Sequence, residues 1–457
     1  MALDTAFLQS LAAIVGDEHV RHANQLALMD PGIDADNLAA GLAVRPGSAD
    51  EVAGVLSLCD VAGVAVVTHG GRTGLARGAV SAPGQLVMLT DRLEGLEIDP
   101  VERVAEAGAG VTLQALQEAA AIHGLSPGID TASRGSATVG GLVSTNAGGM
   151  EAFRYGMMRQ RVLGMEAVLA DGTILRDLAR VPKNNEGYDL RQLFCGSEGT
   201  LGVVTRVTLR LERADPPSAT VMCACPDAAA AVRVMRDVQD QDGMLRAEIM
   251  WREFARRVAE NVGLAAVLGF YDAPVYLILE SAAGEDRLAD ALAPHMDSGA
   301  VLDAIMAQSA READDIWRIR EDSFAANRTL AHQLWFDISL PLSAFDGYVD
   351  GLKARLDAIG DGMVLFALGH LADGNLHVTI GRETPFGDSD ATAVAMAVEQ
   401  GVKAAGGSVS AEHGIGTAKL AILARNATPQ KIAVMRRLKA ALDPNGTMNP
   451  GKVIPAS

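Results

Sequence analysis

The chain predicts an α+β fold in two successive domains, and three observations carry that reading. It has 457 residues, 49% of them hydrophobic and 48 of them glycine, which is enough for two or three packed cores and typical of a mixed globular enzyme. Residues 36–213 alternate short valine-rich apolar runs with helical patterns. After Asp215-Pro216-Pro217-Ser218, a composition that reads as a linker, strand–helix–strand alternation starts afresh.

Taken in order, residues 1–35 read as a helical lead-in. The first domain, 36–213, has strand patterns at 64–68, 86–89, 101–105, 162–169 and 202–211, with a helical pattern at 113–123. The second, 214–425, opens with strand 220–225, helix 227–239, strand 275–280 and helix 285–293, the pattern of an α/β domain. Residues 426–457 form a C-terminal segment. Its helix at 429–442 stops at Asp443-Pro444-Asn445-Gly446, and the chain then closes through Asn449-Pro-Gly-Lys452.

Composition excludes several classes. The net charge of −18 disfavours nucleic acid as a partner. No apolar run reaches the roughly 18 residues that a membrane-spanning helix needs. Met-Ala-Leu-Asp-Thr carries no basic region, so no secretory signal is visible. Cys59, Cys195, Cys223 and Cys225 are too few for a disulfide framework and read as reduced core thiols of a cytoplasmic protein. The 17 methionines read as core filling.

The most informative stretch is Gly369-His-Leu-Ala-Asp-Gly-Asn-Leu-His377. Two short alternating runs flank Asp373-Gly374, a preferred centre for a two-residue hairpin turn. Counting outward, Ala372 faces Asn375, Leu371 faces Leu376 and His370 faces His377. Directly opposed residues share a face, about 4.5–5.5 Å apart at Cβ, so two imidazoles there suit one metal ion. Glu412-His413, followed by Gly-Ile-Gly416, adds a carboxylate and a third imidazole. Two histidines and one carboxylate, with positions left open, make a catalytic type of divalent-metal site. Zinc fits His370, His377 and Glu412 best; manganese, iron and cobalt also suit them.

Three glycine-rich segments follow strands in the first domain. They are Thr68-His-Gly-Gly-Arg-Thr-Gly-Leu-Ala-Arg-Gly78, the run from Pro127 through Gly149, and Gly196-Ser-Glu-Gly-Thr-Leu-Gly202. None has the lysine of a nucleotide-binding P-loop or the strand-to-helix G-x-G-x-x-G of a dinucleotide fold. Successive glycine N–H groups can cradle a pyrophosphate. Three such loops in one domain predict one large phosphate-bearing cofactor lying across them.

At these residues the chain resembles the vanillyl-alcohol-oxidase-type FAD flavoproteins, and among them the D-2-hydroxyacid dehydrogenases, over about residues 36–455. That resemblance implies a two-part FAD-binding domain, a cap domain for substrate and a C-terminal segment returning to the flavin. It places FAD against Gly70, Gly71, Arg72, Thr73, Gly74, Leu75 and Gly78 in the first loop. In the second it uses Pro127, Thr138, Gly140, Gly141, Ser144, Asn146, Ala147, Gly148 and Gly149. Glu198, Gly202, Val204 and Asn449 complete the list. His69 precedes the glycine pair and Arg72 follows it, where covalent-flavin relatives have histidine, so FAD is expected to be non-covalent.

The resemblance also implies that His370, His377 and Glu412 hold the metal, that His413 takes the hydroxyl proton, and that Arg320 binds the substrate carboxylate. Arg318, His123, His295 and His332 are expected to be structural. In the members that oxidise hydroxyglutarate, a lysine just before the segment like Phe336-Asp-Ile-Ser-Leu-Pro341 takes the second carboxylate. Here Trp335 stands in its place, Phe324 replaces a threonine, and Thr379 replaces an asparagine. A substrate with a short or apolar side chain, such as D-lactate, is therefore expected. The implied electron acceptor is an electron-transfer flavoprotein or a quinone, and a homodimer is compatible. Three alternatives follow from the same superfamily: a dehydrogenase of hydroxyglutarate itself, the flavin subunit of a glycolate-oxidase-like complex and, more remotely, a non-redox FAD transferase.

Overall fold

The computed structural model describes residues 4–241, 243–322, 326 and 328–456. The chain folds into two compact units, Met1–Ala214 with Glu412–Ser457, and Asp215–Ala411. The second unit thus ends before Glu412, where the sequence reading ran on to 425.

In the first unit, β1 (Val20–His22), β2 (Leu42–Val44), β3 (Val66–His69) and β4 (Leu86–Leu89) make a sheet in the order β1-β2-β4-β3. A five-stranded antiparallel sheet follows, ordered β5-β6-β10-β8-β9: β5 (Leu96–Asp99), β6 (Val104–Gly108), β8 (Val162–Val168), β9 (Ile174–Asp177) and β10 (Val203–Arg210). The short β7 (Leu125–Ser126) pairs with β11 (Glu212–Arg213).

The lead-in is helical over Thr5–Val15, but it also supplies β1, too short to show a period. The run expected at 101–105 is mostly turn. Asp99 accepts from the N–H groups of Val101 and Glu102, and Arg103 is left-handed, so β6 starts at Val104. The helix Ala49–Ala62 is capped by Ser48, which accepts from Glu51 N–H, and stops at Gly63 with φ +66°. Its buried Val52, Val55, Leu56 and Cys59 pack with Val66, Leu86 and Met88.

The second unit is built on one seven-stranded sheet: β12 (Ala219–Cys225), β13 (Met244–Trp251), β14 (Val275–Ser281), β15 (Asp303–Met306), β16 (His332–Ser339), β17 (Val364–His370) and β18 (Asn375–Arg382). Their order is β15-β12-β14-β13-β17-β18-β16, and every neighbouring pair is antiparallel. The helices Arg252–Asn261 and Ala310–Glu321 cover one face, packing Phe254, Val258, Ile316 and Ile319 onto Met222, Met250, Tyr276, Ile278, Phe366 and Leu368. The spacing Ile316, Ile319, Arg320 puts an arginine on the same inward stripe as two core residues.

Candidate active site

The two hairpin histidines share a face, but not in the expected register. His370 lies opposite Asn375, Gly369 opposite Leu376, and Leu368 opposite His377. The connection is four residues long instead of two, because Leu371–Asp373 makes a turn of 3₁₀ helix with Leu371 fully buried. Gly374 closes it at φ +78°, where an added Cβ would lie 2.2 Å from the Leu340 carbonyl oxygen. This displacement keeps the side-chain parity, so both histidines still point to one side. They are diagonal neighbours, with Nε2 atoms 3.4 Å apart and ring centroids separated by 5.2 Å.

Each ring is backed by a buried carboxylate. Glu248 on β13 lies directly opposite His370, and its Oε1 is 2.7 Å from His370 Nδ1. Its Oε2 accepts from Arg320 Nε at 2.6 Å. Burial alone would raise the Glu248 pKa, but the Arg320 guanidinium and His370 outweigh it and hold the carboxyl below its usual range. Asp337 on β16 lies opposite His377, with Oδ1 3.7 Å from His377 Nδ1. Asp337 Oδ1 accepts from Asn375 Nδ2 at 2.8 Å, and Oδ2 accepts from Ala411 N–H at 3.0 Å. With Nδ1 of His370 donating to a carboxylate, Nε2 is the ring nitrogen that carries the lone pair a cation would use. Two neutral imidazoles with converging Nε2 atoms fit a shared divalent ion.

Beside this pair, Trp335 lies opposite Thr379, two residues along each strand from Asp337 and His377. Thr379 is buried and Trp335 is 42% exposed, its indole N–H donating to Gln333 Oε1 at 2.7 Å. Phe324 lies outside the described residues. Arg318 is exposed beside Asp315, and His295 pairs with Asp237 at 3.0 Å. His332 begins β16, and His123 is exposed. All four cysteines are buried and free.

In the first unit the glycine loops pack against one another. A Cβ at Gly70 would lie 2.2 Å from Thr138 Oγ1, and one at Gly71 would lie 1.8 Å from the Ser136 carbonyl oxygen. A Cβ at Gly149 would lie 1.9 Å from the Asp130 carbonyl oxygen, and one at Gly140 would lie 2.6 Å from Ala109 Cβ. Thr138 caps the helix Val139–Thr145, and Asn146 ends it in a left-handed conformation. Asn449 Nδ2 donates to the carbonyls of Gly78, at 3.1 Å, and Glu198, at 2.7 Å, joining the first loop to the third.

The Glu198 carboxylate accepts from the N–H groups of Ile415 and Gly416 at 2.7 and 2.9 Å. Burial raises its pKa against those two donors. Glu412, three residues before Ile415, accepts from Gly149 N–H at 2.8 Å. His69 is buried with Nε2 on the Ala79 carbonyl, and burial lowers its pKa to about 3, so the ring is neutral. Thr68 Oγ1 and His69 Nδ1 are buried without partners, which fits a cofactor laid along this loop.

Comparison with known proteins agrees with this geometry. Residues 40–177 match the FAD binding domain, and residues 215–453 match the C-terminal domain of FAD linked oxidases. A D-2-hydroxyglutarate dehydrogenase of Xanthomonas citri pv. viticola is 37% identical over 422 residues, covering 89% of this chain and 88% of the relative. The mitochondrial D-2-hydroxyglutarate dehydrogenase of Bos taurus is 36% identical, covering 90% and 76%.

Among solved structures, p-cresol methylhydroxylase superposes with a TM-score of 0.76 at 16% identity, covering 99% of this chain and 98% of the other. Alkyldihydroxyacetonephosphate synthase gives 0.69 at 16%, covering 98% and 85%. Those two likenesses establish the fold. The chain belongs to the FAD-linked oxidases. Among the described residues no helix is long and apolar enough to cross a membrane.

Glu248 and Asp337 were not singled out from sequence. The only signal for either was an acidic residue inside a mostly apolar run, Ala247-Glu-Ile-Met-Trp251 and Phe336-Asp-Ile338.

Proposed function

We propose that the protein oxidises a D-2-hydroxy acid to its 2-oxo acid with FAD as oxidant. The observation that carries this reading is the pair of imidazoles with converging Nε2 atoms, each backed by a buried carboxylate. The names of the curated relatives support it. His370 and His377 hold a divalent ion, zinc by preference, and Glu412 completes the set. Glu412 and His413 follow Ala411, which is tied to the carboxylate behind His377. A bound ion supplies Lewis acidity for the α-hydroxyl, and the flavin supplies the two-electron oxidation. His413 takes the hydroxyl proton, a task suited to an imidazole near neutral pH. Arg320 binds the substrate carboxylate with its planar fork. Electrons then pass to an electron-transfer flavoprotein or a quinone.

Anaerobic mixing with D-2-hydroxy acids tests the reading. The flavin absorbance bleaches with at least one of D-lactate, D-malate, 2-hydroxybutyrate or D-2-hydroxyglutarate; a flavin untouched by all of them points to the non-redox transferases that share the fold. The FAD is held non-covalently, so acid precipitation leaves the pellet colourless and all flavin in solution. A yellow pellet overturns that part.

For the side chain of the substrate, the proposal favours a short or apolar group. Trp335, where the hydroxyglutarate enzymes have lysine, offers no charge, and burying a second carboxylate without a cation is costly. The expected result is a higher kcat/KM for D-lactate than for D-2-hydroxyglutarate. The names of the relatives favour the second reading. A tenfold preference for hydroxyglutarate, about 1.4 kcal/mol of transition-state binding, would establish it.

A further inference from the structure

We infer that Glu248 is a positioning residue for both halves of the site, fixing His370 toward the metal with one carboxylate oxygen and Arg320 toward the substrate with the other. The inference rests on the metal reading above. Glu248 is 1% exposed, in the middle of β13, two residues from Met250 and opposite Ile278. A carboxylate at such a position is costly unless its hydrogen bonds are satisfied, and here each oxygen has one partner.

The arrangement contains a competition. His370 Nδ1 is 2.7 Å from Glu248 Oε1 but also 3.3 Å from Arg320 Nη2. Arginine can only donate, so a bond to it requires Nδ1 to be an acceptor. The neutral ring would then carry its proton on Nε2, facing His377, and lose the lone pair that a metal needs. Glu248 decides the outcome: as the closer acceptor it makes Nδ1 the donor, and it holds Arg320 through Nε, so that Nη2, although 3.3 Å from the ring, does not take Nδ1 as its acceptor. One residue thus sets both the tautomer of a metal ligand and the aim of a substrate-binding arginine.

The test uses the FAD-loaded protein stripped of metal and titrated with Zn²⁺ against a chelating dye. Glu248→Gln keeps the shape but places an amide donor against one of two donors. It is expected to bind Zn²⁺ about 10–100-fold more weakly. The rise in Tm on adding Zn²⁺ should shrink with it, because that increment follows [L]/Kd, whereas a purely structural loss would lower Tm equally with and without metal. Flavin content should match wild type. In the double variant Glu248→Gln with Arg320→Met, the guanidinium no longer competes and the amide is free to turn its oxygen to Nδ1–H, so Zn²⁺ affinity is expected to recover toward wild type.

Unchanged Zn²⁺ affinity in Glu248→Gln overturns the inference. A wild-type protein that binds no Zn²⁺ overturns the metal reading beneath it instead. Should Glu248→Gln give no soluble holoprotein, Arg320→Gln decides. With Glu248 in place it should keep its Zn²⁺ affinity while KM for the hydroxy acid rises about tenfold or more, the loss expected for a charge-assisted contact. A parallel fall in Zn²⁺ affinity there would count against the assignment.

Discussion

Replacing His377 with alanine is expected to abolish turnover and metal binding while leaving FAD in place. His377 supplies one of two Nε2 atoms that lie 3.4 Å apart; of its cross-strand neighbours, Leu368 offers no ligand atom and Asp337 is already engaged by Asn375 Nδ2 and Ala411 N–H. Groups that only orient a ligand cost about 10–100-fold in metal affinity when removed, so loss of a ligand itself should exceed about 100-fold. The flavin is unaffected because the glycine loops belong to the other folding unit. Metal analysis, flavin absorbance and steady-state rates on one preparation separate these effects. Treatment of the wild type with a strong chelator should reproduce them. Full activity in demonstrably metal-free protein would end the metal hypothesis.

His413→Asn should lower kcat by about 10²–10⁴-fold, the usual worth of a general base, with a smaller change in KM. Asparagine preserves polarity and approximate size but takes no proton. Metal content should stay near wild type. If the metal leaves with the imidazole, His413 is a ligand and some other group takes the proton.

Much of this was legible from the residues. The helix expected at 429–442 is observed as Pro429–Leu442, because Thr428, a proline in the first turn and Asp443-Pro444 punctuate it locally. Strand β4 matched at both ends for a similar reason, being a short buried run between turns. The hairpin was legible in its parity but not its register. Asp-Gly favours a two-residue turn, whereas burial of Leu371 demanded a longer one, and that competition is tertiary. Glu248 was out of reach: its meaning comes from His370, 122 residues away, and from Arg320, 72 residues away. Strand β5 escaped as well, since its residues Leu96–Asp99 carry an exposed glutamate and little apolar pattern.

The unit that carries the glycine loops is made of two separated pieces of chain, and Asn449 ties the first piece to the second. This ordering bears on biogenesis. During synthesis at about 5–20 residues per second, the loops around Gly70 and Glu198 emerge ten seconds or more before Asn449 is made. The contiguous unit Asp215–Ala411 can fold in that interval. Flavin capture is therefore expected to come late in the life of a nascent chain, and a stalled or truncated product lacking Asn449 is expected to be colourless and open to proteolysis.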